Sequence, residues 1–324
     1  MTTQEPGHRP GDSGIASQPR DTESGDEHVF LIGRPPVGEF LGFIASQTLA
    51  GSDADISALM HEWRKANDHV RQLERSESGI AANPPTWDLP DQLAAAAEAV
   101  KADEIFKRCF GFVPTDIRMV DVDRLVVYQK SINLSYVRSI QARIESDPSM
   151  SNVFRMCLPI EREVPPARVQ RVAQNGYVFM SSSNDLRFVE PILLKPQQVG
   201  AYLPYGPMLT VLGLVIGFSS NYVQAVAIEN RLVLHNGSHR VYAFRELGIK
   251  QIPCVIQHAT RRDELEVVGS QELQAHPDRF LKDPRPPLLK DYFDPELRKL
   301  VRVPRRSRQV KVTFGVESTD TPDD

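Results

Sequence analysis

The chain has 324 residues, 41% of them hydrophobic and 25% charged, which gives ample length to bury one large core or two modest ones. Its formal net charge of -4 excludes a wholly basic nucleic-acid coat but leaves room for a local basic patch. Three cysteines, Cys109, Cys157 and Cys254, lie far apart and outside any CxxC pair. A zinc knuckle or disulfide scaffold is therefore excluded, and buried free thiols in a reducing cytoplasm are expected.

Residues 1–27 are rich in Gly, Pro, Ser, Asp and Glu, lack a signal-peptide pattern and are expected to form a disordered tail, as are residues 318–324. A short strand is predicted at 28–33, stopped by Arg34-Pro35-Pro36. A helix is expected over 39–48. The next, capped by Ser52 or Asp53, carries Ile56, Leu59, Met60, Trp63, Ala66, Val70 and Leu73 at helical spacing. Asn83-Pro84-Pro85 interrupts the chain before an alanine-rich helix over 91–110. Residues 28–112 thus read as a helical N-terminal region whose apolar stripe is either internal core or a homodimer face.

The pattern then changes. Residues 117–128 read as extended, and Ile132, Tyr136, Ile140 and Ile144 mark a helix. Short β-like segments are expected at 168–173, 177–180, 186–194, 210–217 and 222–228, with Asn175-Gly176 as the strongest hairpin signal. The longest apolar stretch, 208–218, is interrupted by Thr210, Gly213 and Gly217 and is too short to span a bilayer as a helix. No membrane partner is expected, and the protein reads as soluble and cytoplasmic. Past Ile256, polar helices are expected at 262–268 and 270–276, a proline linker at 284–287 and a final strand at 310–316. Before that strand lies a basic run, Arg298, Lys299, Arg302, Arg305, Arg306, Arg308 and Lys311, with no acid between its ends. It is either a solvated face or a phosphate-contacting surface for nucleic acid over 298–311, and it holds no aromatic residue to stack a base. Any such binding should be weak, sequence-independent and salt-sensitive.

The most informative stretch is 231–256. A strand at 231–234 leads into Asn236-Gly237-Ser238-His239-Arg240, and a helix with Val241, Phe244 and Leu247 on its buried face follows. Gly237 suits a tight turn or close backbone approach, Ser238 can cap the helix, and Gly248 can end it with Ile249 packed on Phe244. Pro253 opens the next strand, at 252–256. A helix start offers free N–H groups and a positive dipole end, where anions bind. Arg240 adds a charged fork suited to phosphate, and His239 a hydrogen bond or a proton near neutral pH. The alternative is a turn that merely connects, with both side chains bonded internally. His235 and His239, with Cys254 or His258, form a less favoured metal reading. No Walker loop, GxGxxG, GxSxG or HExxH is present.

Leu234-His235-Asn236-Gly237-Ser238-His239-Arg240, Tyr242-Ala243, Leu247-Gly248-Ile249 and Ile252-Pro253 together resemble the ParB/sulfiredoxin superfamily, with its G-x-H-R turn, short helix ending in Gly and Ile-Pro strand entry. A second match, 120–129 followed by the Tyr136 helix, resembles the family's first strand, its strand-end Gln (here Gln129) and its first helix. The resemblance covers about a third of the chain. It implies an α/β (α+β) fold, a twisted sheet with short helices, over 113–260. To this the chain would add a β-rich insertion at about 150–220 and a C-terminal extension over 261–317. It further implies a nucleotide as ligand, ATP or CTP with Mg2+, held by Asn236, Gly237, Ser238, His239, Arg240 and Gln129. His239 and Arg240 would serve any phosphoryl transfer or hydrolysis. Ser238 stands where sulfiredoxins carry their cysteine, so sulfinic acid reduction is not expected. Asp121 and Asp123 are weaker metal-binding acids, and no helix-turn-helix follows the turn. The competing class is a non-enzymatic DNA-binding or regulatory protein using the basic run.

Overall fold

The computed structural model describes residues 25–200 and 202–320; the rest of the expected tails lies outside the described residues. The first strand among the described residues, β1 (Gly25–Leu31), starts earlier than the 28–33 expected and includes residues 25–27 of the expected disordered tail. Its alternation serves two cores: Val29 and Leu31 enter the main one, while Phe30 and the following Ile32 enter another. Phe30 is covered by α1 (Val37–Gln47) and α2 (Ile56–Ser76), which contribute Phe40, Ile44, Leu59, Ala66 and Val70. The α2 cap is Asp55, whose carboxylate accepts the Ala58 N–H at 3.0 Å, rather than Asp53. Ile56, 58% exposed, drops out of the expected stripe.

After β2 (Thr86–Trp87), the helix expected over 91–110 divides into α3 (Ala94–Ala102) and α4 (Glu104–Phe110). Asp103 breaks it, because its side chain accepts the N–H groups of Ile105 and Phe106 and so starts a new helix. Val100, Phe106 and Phe110 join the main core, so the N-terminal helices do not share one core of their own. β3 (Thr115–Asp121) and β4 (Ser131–Asn133) follow. Asn133 caps α5 (Leu134–Ser146) through the Tyr136 N–H, 3.0 Å away. Ile132 belongs to β4 rather than to the helix, and Val137, Ile140 and Ile144 are buried while Tyr136 points outward. A helix the sequence reading missed, α6 (Met150–Cys157), buries Val153, Phe154, Met156 and Cys157 in the main core. The β-rich stretch expected from about 150 therefore begins after it.

The expected short strands are present as β5 (Ala167–Ala173), β6 (Gly176–Ser181), β7 (Arg187–Leu194), β8 (Val211–Gly217) and β9 (Gln224–Ile228). β10 (Arg231–Asn236) forms a hairpin with β9 through Glu229 and Asn230, both at positive φ as a tight hairpin turn requires. α7 (Ser238–Glu246) leads to β11 (Gln251–His258). Short helices α8 (Leu265–Val268), α9 (Gln271–Ala275) and α10 (Pro277–Leu281) precede the 284–287 segment. That segment is no open linker, since Arg285 is 1% exposed. The basic run divides between β12 (Arg298–Pro304) and β13 (Arg308–Thr313), so the last strand starts and ends earlier than expected.

The molecule is mixed α/β. The central sheet has the order β10-β9-β11-β3-β2, with β9 and β11 parallel and the other neighbours antiparallel. β10 and β11 thus share one sheet but flank β9 rather than pair. β12-β1-β4 and β13-β6-β5 are three-stranded, and β7 and β8 form a two-stranded sheet. Among the described residues no helix is long and apolar enough to cross a membrane.

Candidate functional site: the turn before α7

The turn between β10 and α7 is held by short-range chemistry. Gly237 adopts φ 98°, where side-chain-bearing residues are strained, and a Cβ there would sit 2.8 Å from Val223 Cγ2. The glycine is thus required by packing on Val223 as well as by the turn. Asn236 Oδ1 accepts the Gly237 N–H at 2.9 Å, and its Nδ2 donates to the Tyr222 carbonyl at 2.9 Å. Asn236 therefore shapes the loop rather than facing outward. Ser238 does not cap α7: it is the first residue of the helix, 8% exposed, and the cap position is Gly237. Val241 N–H closes the first helical turn on the Gly237 carbonyl, leaving the N–H groups of Ser238, His239 and Arg240 without an intrahelical acceptor. At the other end Gly248, at φ 82°, reverses the chain, and the Ile249 N–H bonds the Phe244 carbonyl at 2.9 Å.

Arg240 turns inward. It is 7% exposed, and its Nη1 donates to the carbonyls of Met156 at 2.8 Å and Asn221 at 2.6 Å. Its Nη2 is buried without a hydrogen-bond partner among the described residues. Burial holds its pKa below the ordinary value, with Cys157 the largest of the opposing influences. The exposed phosphate fork expected of Arg240 is corrected on this point: the guanidinium ties α7 to α6 and to residue 221. Both acceptors come from segments remote in sequence, so nothing local to the turn announces the inward rotamer.

His239 Nε2 accepts the Asn133 N–H at 3.0 Å, which places the neutral ring's proton on Nδ1. Its ring meets Tyr136 edge-on, with centroids 5.5 Å apart. Burial, then His28 and Arg240, lower its pKa to about 4. A histidine neutral at pH 7, with its basic nitrogen already engaged, does not fit the proton-transfer role expected of it. His235 is likewise pushed down by burial, and its carbonyl accepts the Tyr128 hydroxyl at 2.6 Å.

Gln129 is not assembled with the turn. Its Nε2 donates to the Ser131 carbonyl at 3.1 Å, and it lines, with Arg34, Lys130 and Phe280, a separate cavity of about 40 Å³. Asp121 accepts the Asp123 N–H, and Asp123 pairs with Arg245 Nε at 2.8 Å near the end of α7. Among the described residues no three His, Cys, Asp or Glu side chains form a metal-holding group, and the acids expected to bind metal are committed elsewhere. His258 pairs with Asp116 at 3.2 Å instead of joining His235 and His239. Cys157 and Cys254 are buried free thiols beside Arg240, both raised by burial, Cys157 to about 12.

The sequence reading missed Asn133, which caps α5, orients His239 and bonds Asp26 through Nδ2 at 3.1 Å. The cap signal of Asn ahead of the Val137-Ile140-Ile144 face could have found it. It also missed Asn221 and Tyr222, for which no local signal exists.

The basic run is not one surface. Lys299 pairs with Glu62 at 2.5 Å and Arg305 with Asp26 at 2.9 Å, while Arg306 bonds Gln47. Residues 298–304 and 308–313 sit in different sheets, so the run does not lie along one strand face.

No protein-family model, curated protein or solved structure matches this chain.

Proposed function

We propose that the turn from Asn236 to Arg240 binds the phosphates of a nucleotide, ATP or CTP, within a ParB/sulfiredoxin-like α/β unit. The observation that carries this reading is the Arg240 charge: buried directly behind the first turn of α7, it meets carbonyls and no carboxylate within bonding distance among the described residues. An uncompensated buried cation, added to the helix dipole, makes the turn electropositive and favours an anion in front of it. In this reading the N–H groups of Ser238, His239 and Arg240, with the Ser238 hydroxyl, contact phosphate. Arg240 acts through its field from within. His239 stays neutral and fixes the turn against Asn133. The proposal is one of binding, with no proton transfer assigned to His239. The acids near the turn are committed to other partners, so magnesium would arrive on the triphosphate oxygens.

Melting curves with ATP, CTP and GTP, each with and without magnesium, test it. One triphosphate is expected to raise the melting temperature, since a ligand at about 100 times its Kd adds about 2.7 kcal/mol. Ser238→Asp places a carboxylate at the same N–H groups. It is expected to lower the melting temperature without ligand, since Ser238 is 8% exposed, and to abolish the shift that nucleotide produces in the wild type. A wild type unmoved by every triphosphate and by pyrophosphate overturns the reading.

A further inference from the structure

We propose that the sheet β5-β6-β13 is a platform for single-stranded nucleic acid. The argument begins with what covers it. On the central strand, Tyr177 and Phe179 face one side and Val178 and Met180 the other, and all four are only half-buried. β5 is exposed along its whole length, and Val169, paired with Phe179, is 61% exposed. None of these residues belongs to the packed cores. Neither face of β6 is closed by one of the packed cores, and the rings of Tyr177 and Phe179 keep part of their surface in solvent.

Its charge selects the partner. The three strands carry Arg168, Arg171, Arg308 and Lys311 and no acid, in a chain whose net charge is -4. Arg171 donates to the carbonyls of Ala173 and Gln174, and Arg308 to that of Leu186, so neither charge is neutralised by these bonds. The register aligns Val169, Phe179 and Val310 in one row and Arg171, Tyr177 and Val312 in the next. Arg308 stands across from Ser181 on the same face. Two aromatic rings two residues apart, with an arginine at either end, match what a single strand asks of a surface: rings for unstacked bases and cations for the phosphates between them. The basic stretch that forms β13 has no aromatic of its own. Pairing with β6 supplies two, from more than a hundred residues earlier. A duplex keeps its bases stacked inside and cannot use the rings, which sets the expected preference.

Fluorescence anisotropy of the full chain with fluorescein-labelled oligo(dT) and oligo(U) of about 12 nucleotides, and with a duplex of equal length, tests the proposal. Binding is expected for a single strand at low salt, tighter than for the duplex, and the two single strands distinguish DNA from RNA. Each cation engaged adds about 0.7 to the slope of log affinity against log salt, so the two on the ring face, Arg171 and Arg308, give about 1.4. Tyr177→Ala and Phe179→Ala are each expected to weaken binding about tenfold. Arg171→Gln with Arg308→Gln, the two cations on the ring face, should weaken it and flatten the salt dependence while the melting temperature holds. Arg168→Gln with Lys311→Gln, on the opposite face beside Met180 and Val178, should change it far less. Ser238→Asp should leave this binding untouched, which separates it from the nucleotide site. Absence of single-strand binding at low salt, equal affinity for duplex, indifference to both aromatic substitutions, or a dimer that buries Tyr177 without nucleic acid would each overturn it.

Discussion

At His239 one hydrogen bond and deep burial decide what the residue can do. The fold keeps the ring neutral, with a pKa near 4 against an ordinary value of 6.5. A depressed histidine pKa gives stability that is complete above about pH 6.5 and declines as pH falls toward 4, because the unfolded chain takes the proton first. Between about pH 7.5 and pH 5 this residue alone should cost about 2 kcal/mol of unfolding free energy, read from urea titrations at the two values. His28 and His235, both lowered by burial, add to the loss in the same direction. His239→Gln offers an amide oxygen to the Asn133 N–H and does not titrate, so its pH dependence should be flatter by that 2 kcal/mol. Equal slopes in both proteins would show that His239 is protonated in the fold. The residue types at this turn were legible in the sequence. Their orientation was not: Arg240 follows the Met156 carbonyl, 84 positions away, and that acceptor sits on a helix the pattern did not reveal.

The unit β10–α7–β11 was legible because its signals are local: a glycine at each end of a helix, an apolar face between them and a proline opening the next strand. Elements whose ends depend on distant contacts were not. The division of the 91–110 helix at Asp103 could be argued from its capping power, but Asp103 also pairs with Arg162, which the chain brings from 59 positions away. The two glycines that bound α7 give an expected contrast. Both have positive φ, yet a Cβ at Gly248 meets nothing within 4 Å, whereas one at Gly237 meets Val223 at 2.8 Å. Gly248→Ala should therefore cost only backbone strain, about 1 kcal/mol. Gly237→Ala should cost about 3 kcal/mol, since the helix start or Val223 must shift. Denaturant midpoints of the two variants check this, and equal losses would mean that the contact with Val223 yields easily.

Across the whole molecule, the part least visible in the sequence is what joins the three cores. The 284–287 segment, which reads as a proline linker, forms a junction together with residues 288–293. Arg285 grips Asp291 through Nη1 at 2.8 Å and Nη2 at 2.6 Å, and reaches Glu77 near the end of α2 through Nε at 2.8 Å. Lys290 bonds the same Glu77, and the Leu288 N–H donates to Asp291 at 2.9 Å. Leu288 also bridges Val126, and the Leu289 N–H meets the Leu125 carbonyl, so the segment is sewn to residues 125–126, of which Val126 also bridges Val233 of β10. Arg285 and Asp291 are 1% and 2% exposed. Breaking such a pair leaves a buried charge, and Asp291→Asn should cost about 3–5 kcal/mol. Asp263→Asn, at a pair more than half exposed, should cost under about 1 kcal/mol. The location of the loss is the sharper expectation. Trp63 lies on α2, with its Nε1 donating to the Pro35 carbonyl, and reports on the helices packed against β1. In the wild type its fluorescence and the far-UV circular dichroism should change together with denaturant. In Asp291→Asn the Trp63 signal should change first, because Arg285, which holds Glu77 at the end of α2, loses the partner that fixes it while the central sheet keeps its own core; Trp87→Phe removes the other tryptophan's contribution. Coincident transitions in the variant would mean that apolar packing around Phe30 and Phe40 alone couples the N-terminal helices to the sheet.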